Sequence, residues 1–410
     1  MRIAIIGGGI AGLVAAHLLH PHHDITLFEA NDYPGGHTHT VRVGVGGGAW
    51  DVDTGFIVYN ERNYPRFTAL LARLGVASQP SDMSFSVRAE GSDFEYNGTS
   101  LNRLFGQRTN LLRPSFYRMA ADILRFNRTA PLAVRDGARG ATLGEYITAA
   151  RYCAAFTDHY IVPMAAALWS QPRDRVLDMP LAFLVQFLEN HGMLSVNGRP
   201  EWRVIRGGSQ RYVEALIRPL RNRLRLGHPV RSVTRHADRV EVGGTAFEEV
   251  VIACHADQAL AMLADATPAE RDILGTFPYQ ANEVVLHTDP ALLPRRRRLW
   301  AAWNYHLGTD PAAPVAVTYN MNILQTLAAP VTFCVTLNRT ADVAPARVLQ
   351  RFTYYHPVFS YAGIRAQQRH AEISGVNRTS FCGAYWGYGF HEDGVQSAIA
   401  VCRRLAPGVA

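Results

Sequence analysis

Arg2-Ile3-Ala4-Ile5-Ile6-Gly7-Gly8-Gly9-Ile10-Ala11-Gly12 opens the chain, and Asp24-Ile25-Thr26-Leu27-Phe28-Glu29 follows after one short helix length. The apolar run Ile3–Ile6 is what a strand buried on both faces of a parallel sheet requires. The glycines come at once, and Leu13–Leu19 then reads as a helix. Gly7 makes the tight turn, Gly9 lets an anionic group approach the backbone, and Gly12 lets the helix pack on the strand. The helix N-terminus offers unpaired N–H groups and a positive dipole end to phosphates. The second strand ends in Glu29, seventeen residues beyond Gly12, where a carboxylate accepts hydrogen bonds from ribose hydroxyls. Strand, glycines, helix, strand and acid in this order specify a dinucleotide site, which the glycines alone would not do. Gly44-Val45-Gly46-Gly47-Gly48 is as rich in glycine, but alternating strand-like residues flank it and it reads as a hairpin turn.

Three features further along favour FAD over NAD. Gly35-Gly36 is a second place where backbone can pass close to a cofactor. Asp53-Thr54-Gly55 ends a strand and brings small groups to the expected crevice. Cys382-Gly383-Ala384-Tyr385-Trp386-Gly387-Tyr388-Gly389 precedes His391-Glu392-Asp393-Gly394-Val395, which opens a short final helix. The N-terminus of that helix, arriving from the far end of the chain, can stabilise an anion on a reduced flavin ring. No second strand–Gly-x-Gly-x-x-Gly–helix unit follows, so no separate nicotinamide domain is expected.

With 410 residues the chain exceeds what one core usually serves, and two domains are expected. Apolar residues at 48% and charged residues at 18% argue against long disorder. Cys153, Cys254, Cys334, Cys382 and Cys402 are odd in number and never spaced as Cys-x-x-Cys, which points to reduced thiols in a cytoplasmic protein. The apolar N-terminus superficially resembles a signal peptide, but its three consecutive glycines and lack of a cleavage site argue otherwise. No other stretch reaches the ~20 apolar residues of a membrane span. Net charge is +7, and all 41 basic residues are arginine. Without lysine there is no Schiff base and no lysine general base.

The motifs IAIIGGGIAGL (3–13), LFEANDYPGGHTHTV (27–41), DTGFIVYN (53–60), SDMSFSV (81–87) and EYNGTSL (95–101) occur together with IRGGSQRYVEAL (205–216), VLHTDPALLPRRRRLWAAWNY (285–305) and FCGAYWGYGFHEDGV (381–395). In them the chain resembles the flavin-containing amine oxidoreductase superfamily nearly end to end. Within it, the chain looks like bacterial FAD-dependent proteins of cyclopropane and methyl-branched fatty acid modification, including the furan fatty acid desaturase. The resemblance implies FAD, with Gly7, Gly9, Ile10, Ala11 and Gly12 around the pyrophosphate and Glu29 and Ala30 at the ribose. Gly35, Gly36 and His37 stand where relatives usually have Gly-Gly-Arg beside the phosphates. Gly55 and Phe56 would approach the flavin ring, and Val230 would hold the adenine side through its backbone. Gly383, Asp393, Gly394 and Val395 would meet the flavin and the pyrophosphate. Amine-oxidising relatives generally place a lysine near the flavin N5. None exists here, which lowers amine oxidation specifically.

The fold class expected is α/β: a Rossmann-like FAD-binding domain (1–82, 202–260 and 372–410) interleaved with a substrate domain (83–201 and 261–371), as in monoamine oxidase-like proteins. Arg62–Gly75 and Leu101–Leu188 carry helical periodicity, and Thr142-Leu143-Gly144-Glu145 reads as a capping box. Leu224–Val233 and Arg239–Val242 read as paired strands, and Glu249–Ala253 as a buried strand rejoining the first sheet. Runs at 282–288, 299–306, 314–320, 331–337 and 348–355 suggest a mainly antiparallel second sheet.

Tyr385, His391 and Glu392 are the candidate catalytic residues. His391 and Glu392 are the titratable pair nearest the expected flavin edge, with helix capping as the alternative. Tyr385, Trp386, Tyr388 and Phe390 either cage a cationic amine or wall an apolar tunnel, with plain core packing as the further alternative, and the tunnel is preferred. His37 and His39 lack further ligands nearby, and no metal is expected. Arg295-Arg296-Arg297-Arg298 lies between Leu292-Leu293 and Leu299-Trp300, which suits peripheral docking on an anionic membrane at the inner face, against a solvated loop as the alternative. Docking there requires Leu292, Leu293 and Trp300 at the surface. Nothing resembles a nucleic-acid module. The resulting expectation is desaturation of a lipid acyl chain. Amine or amino-acid oxidation is the first alternative; a flavin-holding partner of a lipid methyltransferase is the second.

Overall fold

Ile3, Ala4 and Ile5 are fully buried in the central strand of a five-stranded parallel sheet. In the computed structural model, which describes residues 1–171, 173–195, 198–310 and 313–408, this strand (Arg2–Ile6) pairs with Asp24–Phe28 and with Glu249–Ile252. Leu224–Arg225 and Thr379–Phe381 form the edges, so distant parts of the chain close one sheet. The helix Ile10–Leu19 packs through Leu13, Val14, Ala15 and Ala16 into a core shared with the final helix, His391–Leu405, through Val395, Ala398, Val401 and Cys402. That last helix begins at His391.

One pairing differs from expectation. Leu224–Arg225 does not pair with 239–242; it joins the parallel sheet beside Asp24–Phe28. Val233–Arg235, Val240–Val242 and Thr245–Phe247 form a separate antiparallel sheet. Gly227 adopts φ +65°, and Pro229 has no N–H to give a ladder, so the chain breaks between the two.

The five strands expected between 280 and 357 are present as Tyr279–His287, Trp303–Leu307, Ala316–Asn320, Cys334–Leu337 and Val348–Pro357. They share a seven-stranded sheet with Phe85–Ala89 and Phe94–Asn97, two short strands that precede the helical segment. All its pairings are antiparallel except Trp303–Leu307 with Phe85–Ala89. The helices Pro114–Arg135, Leu143–Ala149, Val162–Trp169 and Leu181–Asn190 share a core with this sheet that includes Phe116, Phe126, Phe187, Val87 and Tyr305. Leu143–Ala149 starts on a complete capping box, in which Thr142 and Glu145 each accept the other's backbone N–H. No helix among the described residues is long and apolar enough to cross a membrane.

Candidate cofactor and active site

The carboxyl ends of the parallel strands face a cavity of about 1180 Å³ that runs to the seven-stranded sheet. At its first end the glycine turn is built by close approach. Gly7 has φ +107° and lies so near Ala253 that a side chain would meet that carbonyl at 2.9 Å. A side chain at Gly12 would overlap the Gly7 oxygen, so this glycine packs helix on strand and stands behind the cavity wall. Gly9 is different: a β-carbon there would meet nothing within 4 Å, because it points into open cavity. Gly35 donates to Gly8 O at 2.8 Å, and Gly36 approaches Gly9 closely, which brings the second glycine pair against the first. Glu29 lines the same end, with one oxygen accepting from Gly8 N at 2.6 Å and the other from Asn31 N at 2.8 Å. Ile10, Ala11, Ala30, His37 and Val230 complete this wall.

Gly55, Phe56, Gly383, Tyr385 and His391 line the middle. The His391 ring stacks on Phe56 at 3.4 Å, and its Nε2 lies 2.9 Å from both Thr38 Oγ1 and Tyr212 OH, which also bond each other. Burial drives its pKa well below the usual imidazole range, so it is neutral. The Tyr385 hydroxyl is buried without a partner, and burial holds it protonated. Glu392 does not act on this cavity. Its carboxylate accepts the N–H groups of Arg66 and Phe67 at 3.1 and 2.9 Å, and the Gln396 amide at 2.9 Å. It therefore caps the N-terminus of the helix Pro65–Leu74, a correction to its reading as an acid–base residue. Asp393, Gly394 and Val395, expected at the flavin and the pyrophosphate, also lie behind the wall and do not line the cavity. Asp393 accepts the Phe390 N–H, with burial raising its pKa to about 6, and Gly394 admits the Ile10 side chain.

The far end is apolar. Tyr160, Met164, Trp169, Phe187, Trp303, Tyr319, Phe359, Tyr388 and Phe390 line it. Phe390 stacks on Phe187 at 5.0 Å and Tyr388 packs at a tilt on Phe183 at 4.8 Å, so the C-terminal aromatic run and the helix Leu181–Asn190 build one wall. Trp386 turns away and packs on Phe277. His191, which sequence reading passed over, faces this end. Its Nδ1 lies 2.9 Å from the Phe187 carbonyl, which can only accept, so Nδ1 carries the proton and Nε2 keeps a lone pair. Burial lowers its pKa to about 4. His255 and His356 were also missed; both line the cavity, with rings 6.1 and 5.2 Å from His37.

The four arginines are not a free patch. Arg296 pairs with Asp93 and with buried Glu95, and Arg295 donates its backbone N–H to Glu95 at 2.8 Å. Leu292 and Leu293 are buried, and Trp300 is half-buried with its Nε1 donating to Pro294 O, which removes the apolar contacts that docking by this loop requires. Among the described residues no three His, Cys, Asp or Glu side chains converge as metal ligands.

The flavin-containing amine oxidoreductase family model matches residues 10–297. The chain belongs to that family. A protein of Mycobacterium tuberculosis named as a flavin-containing monoamine oxidase, AofH, is 26% identical over 318 residues, which is 73% of this chain and 62% of that relative's length. Putrescine oxidase bound to putrescine superposes with a TM-score of 0.69 at 14% identity, covering 99% of both chains. A CLA-producing fatty acid isomerase from P. acnes superposes at 0.70 and 16%, covering 99% of this chain and 98% of that one. These structures share the fold. The family's cofactor is FAD, and the cavity fits it: Gly9 opens on unfilled space, and three wall atoms, His37 Nε2, Trp303 Nε1 and Tyr385 OH, are buried without a partner.

Proposed function

We propose that this oxidoreductase desaturates a lipid acyl chain, methyl-branched ones included. The carrying observation is the far end of the cavity, a wall of aromatic and methionine side chains. Two carboxylates line the cavity among the described residues. Glu29 belongs to the dinucleotide end, and exposed Asp82 is engaged by the Ser84 N–H at 2.6 Å. A buried ammonium without an anionic partner is costly, whereas an alkyl chain gains ~0.8 kcal/mol per buried CH₂. The absence of lysine points the same way.

Gly7–Ala11 would take the pyrophosphate on backbone N–H groups, Glu29 the ribose and Val230 the adenine side. Gly55, Phe56 and Gly383 would approach the ring, with Tyr385 donating to it. A bound flavin would supply a hydride acceptor, and the proton lost from the neighbouring carbon of the acyl chain would need a base on the protein. His191 suits that base, since its free Nε2 is held neutral beside the apolar wall; His391 is already tied to Thr38 and Tyr212.

Anaerobic titration of the purified holoprotein tests this. Dispersed phospholipid with monounsaturated or methyl-branched acyl chains should bleach the flavin absorbance, while putrescine and benzylamine should not. Bleaching by amines alone establishes amine oxidation, the reading favoured by the amine-oxidising relatives and by Asp82. A flavin that neither class reduces leaves the role of partner to a lipid methyltransferase.

A further inference from the structure

The exposed large apolar side chains are concentrated in one segment. Leu101 is 77% exposed, Leu112 85%, Leu111 46%, Tyr117 48% and Leu124 60%. They are neighbours in space as well as sequence: Arg108 donates to Asn102, Tyr117 OH donates to the Leu111 carbonyl, and Phe105 packs on Tyr117. Tyr117 and Leu124 lie seven residues apart on the helix Pro114–Arg135, on one exposed stripe. Residues 98–121 hold Arg103, Arg108, Arg113 and Arg118 and not one Asp or Glu. Leu299 packs on Gly106, so the Arg297–Arg298 corner borders the same segment. Among the described residues, Arg103, Arg108, Arg118, Arg297 and Arg298 have no carboxylate within ion-pair distance. The cavity reaches the surface here as well, because Gly98 and Thr99 are exposed, line it, and lead directly into Leu101.

We propose that this leucine-and-arginine face, and not the Arg295–Arg298 loop by itself, docks the chain on an anionic bilayer beside an opening of the cavity. Leucines standing clear of the protein can enter the acyl boundary while the arginines around them meet lipid phosphates. An excess of positive charge, whose bordering acids Asp93 and Asp122 are already paired with Arg296 and Arg125, fits an anionic lipid surface and opposes pairing with a second copy of the same face. That the cavity then receives an acyl chain from the bilayer rests on the acyl reading above; the docking itself does not.

Co-sedimentation of the holoprotein with vesicles of phosphatidylglycerol in phosphatidylcholine tests it, with phosphatidylcholine alone as the reference. Wild type should bind the anionic vesicles and release in high salt. The variant Arg103→Gln/Arg108→Gln/Arg118→Gln should bind about a hundredfold more weakly, from ~1 kcal/mol per arginine. Leu111→Ser/Leu112→Ser should also lose binding, and both variants should keep full flavin content because these side chains are exposed. Wild-type protein that ignores anionic vesicles, or variants that bind like wild type, overturn the proposal. So does a wild-type dimer that Leu111→Ser/Leu112→Ser dissociates in gel filtration without any vesicle binding. Flavin reduction by detergent-dispersed phospholipid separates the two ideas: reduction without vesicle binding removes only the docking face, and binding without reduction removes only the acyl reading.

Discussion

Glu392 and His191 are both buried and titratable, and their hydrogen-bond partners assign them opposite roles. Glu392 spends its carboxylate on the open N-terminus of a neighbouring helix. Glu392→Ala should therefore cost about 1–2 kcal/mol, the scale of a lost cap, with turnover per bound flavin unchanged. Thermal melting and flavin-normalised assays check this; a fall in turnover with stability intact would restore it as an acid–base residue. His191 spends one nitrogen on its own helix, and the residue lines the cavity. His191→Gln should slow anaerobic flavin reduction by about 10²–10⁴-fold, the range for a general base. With its pKa near 4, wild-type reduction should show no acid limb between about pH 6 and 9. Stopped-flow traces across that range decide it.

The strand–glycine–helix element assigns different duties to glycines three residues apart. Gly12 is enclosed by Gly7 and Ala253, and Gly9 faces empty cavity. Gly9→Asp should thus fold with a melting temperature close to that of flavin-free wild type and lose the flavin, because only the cofactor's phosphates compete for that space. Gly12→Ala should lose both, since its methyl forces the first helix off the sheet. Absorbance near the flavin bands and circular dichroism on the two purified variants separate the outcomes. Stoichiometric flavin in folded Gly9→Asp would remove the phosphate site from this turn. A local turn of this kind was legible in the sequence because its geometry is set within twelve residues. The Leu224–Arg225 strand was not legible: nothing local distinguishes an edge of the parallel sheet from an arm of a hairpin, and Pro229 decides it only by breaking the ladder.

Across the whole molecule, burial keeps many histidines neutral. His37, His191, His255 and His287 have pKa values lowered to about 4, and His306 and His356 to about 3. The unfolded chain binds those protons near pH 6.5 and the folded chain only near 4 or below. Stability is therefore complete above pH ~6.5 and is lost as the pH falls toward 4. At pH 5 one such histidine costs about 2 kcal/mol. Several acting together match the ~5–15 kcal/mol that holds a typical domain, so the acid unfolding midpoint should lie above pH 4. Urea midpoints measured from pH 7.5 down to 4.5 should decline steadily; a flat series would show these imidazoles already solvated.

Residues 2–29 by themselves determined the parallel sheet, the glycine turn and the dinucleotide, because a buried strand, a tight turn and a helix N-terminus are each written in adjacent residues. Tertiary structure alone decided what the remaining polar groups do. Glu392 finds its amides at Arg66 and Phe67, and Arg296 finds Asp93 and Glu95 some two hundred residues upstream, across the sheet edge. His191 becomes part of the site only because Phe390, Phe187 and Trp202 converge around it from three segments. A charge or an imidazole takes its role from the partner it meets, and here those partners are supplied by strand pairing and helix packing over hundreds of residues, which no local pattern encodes.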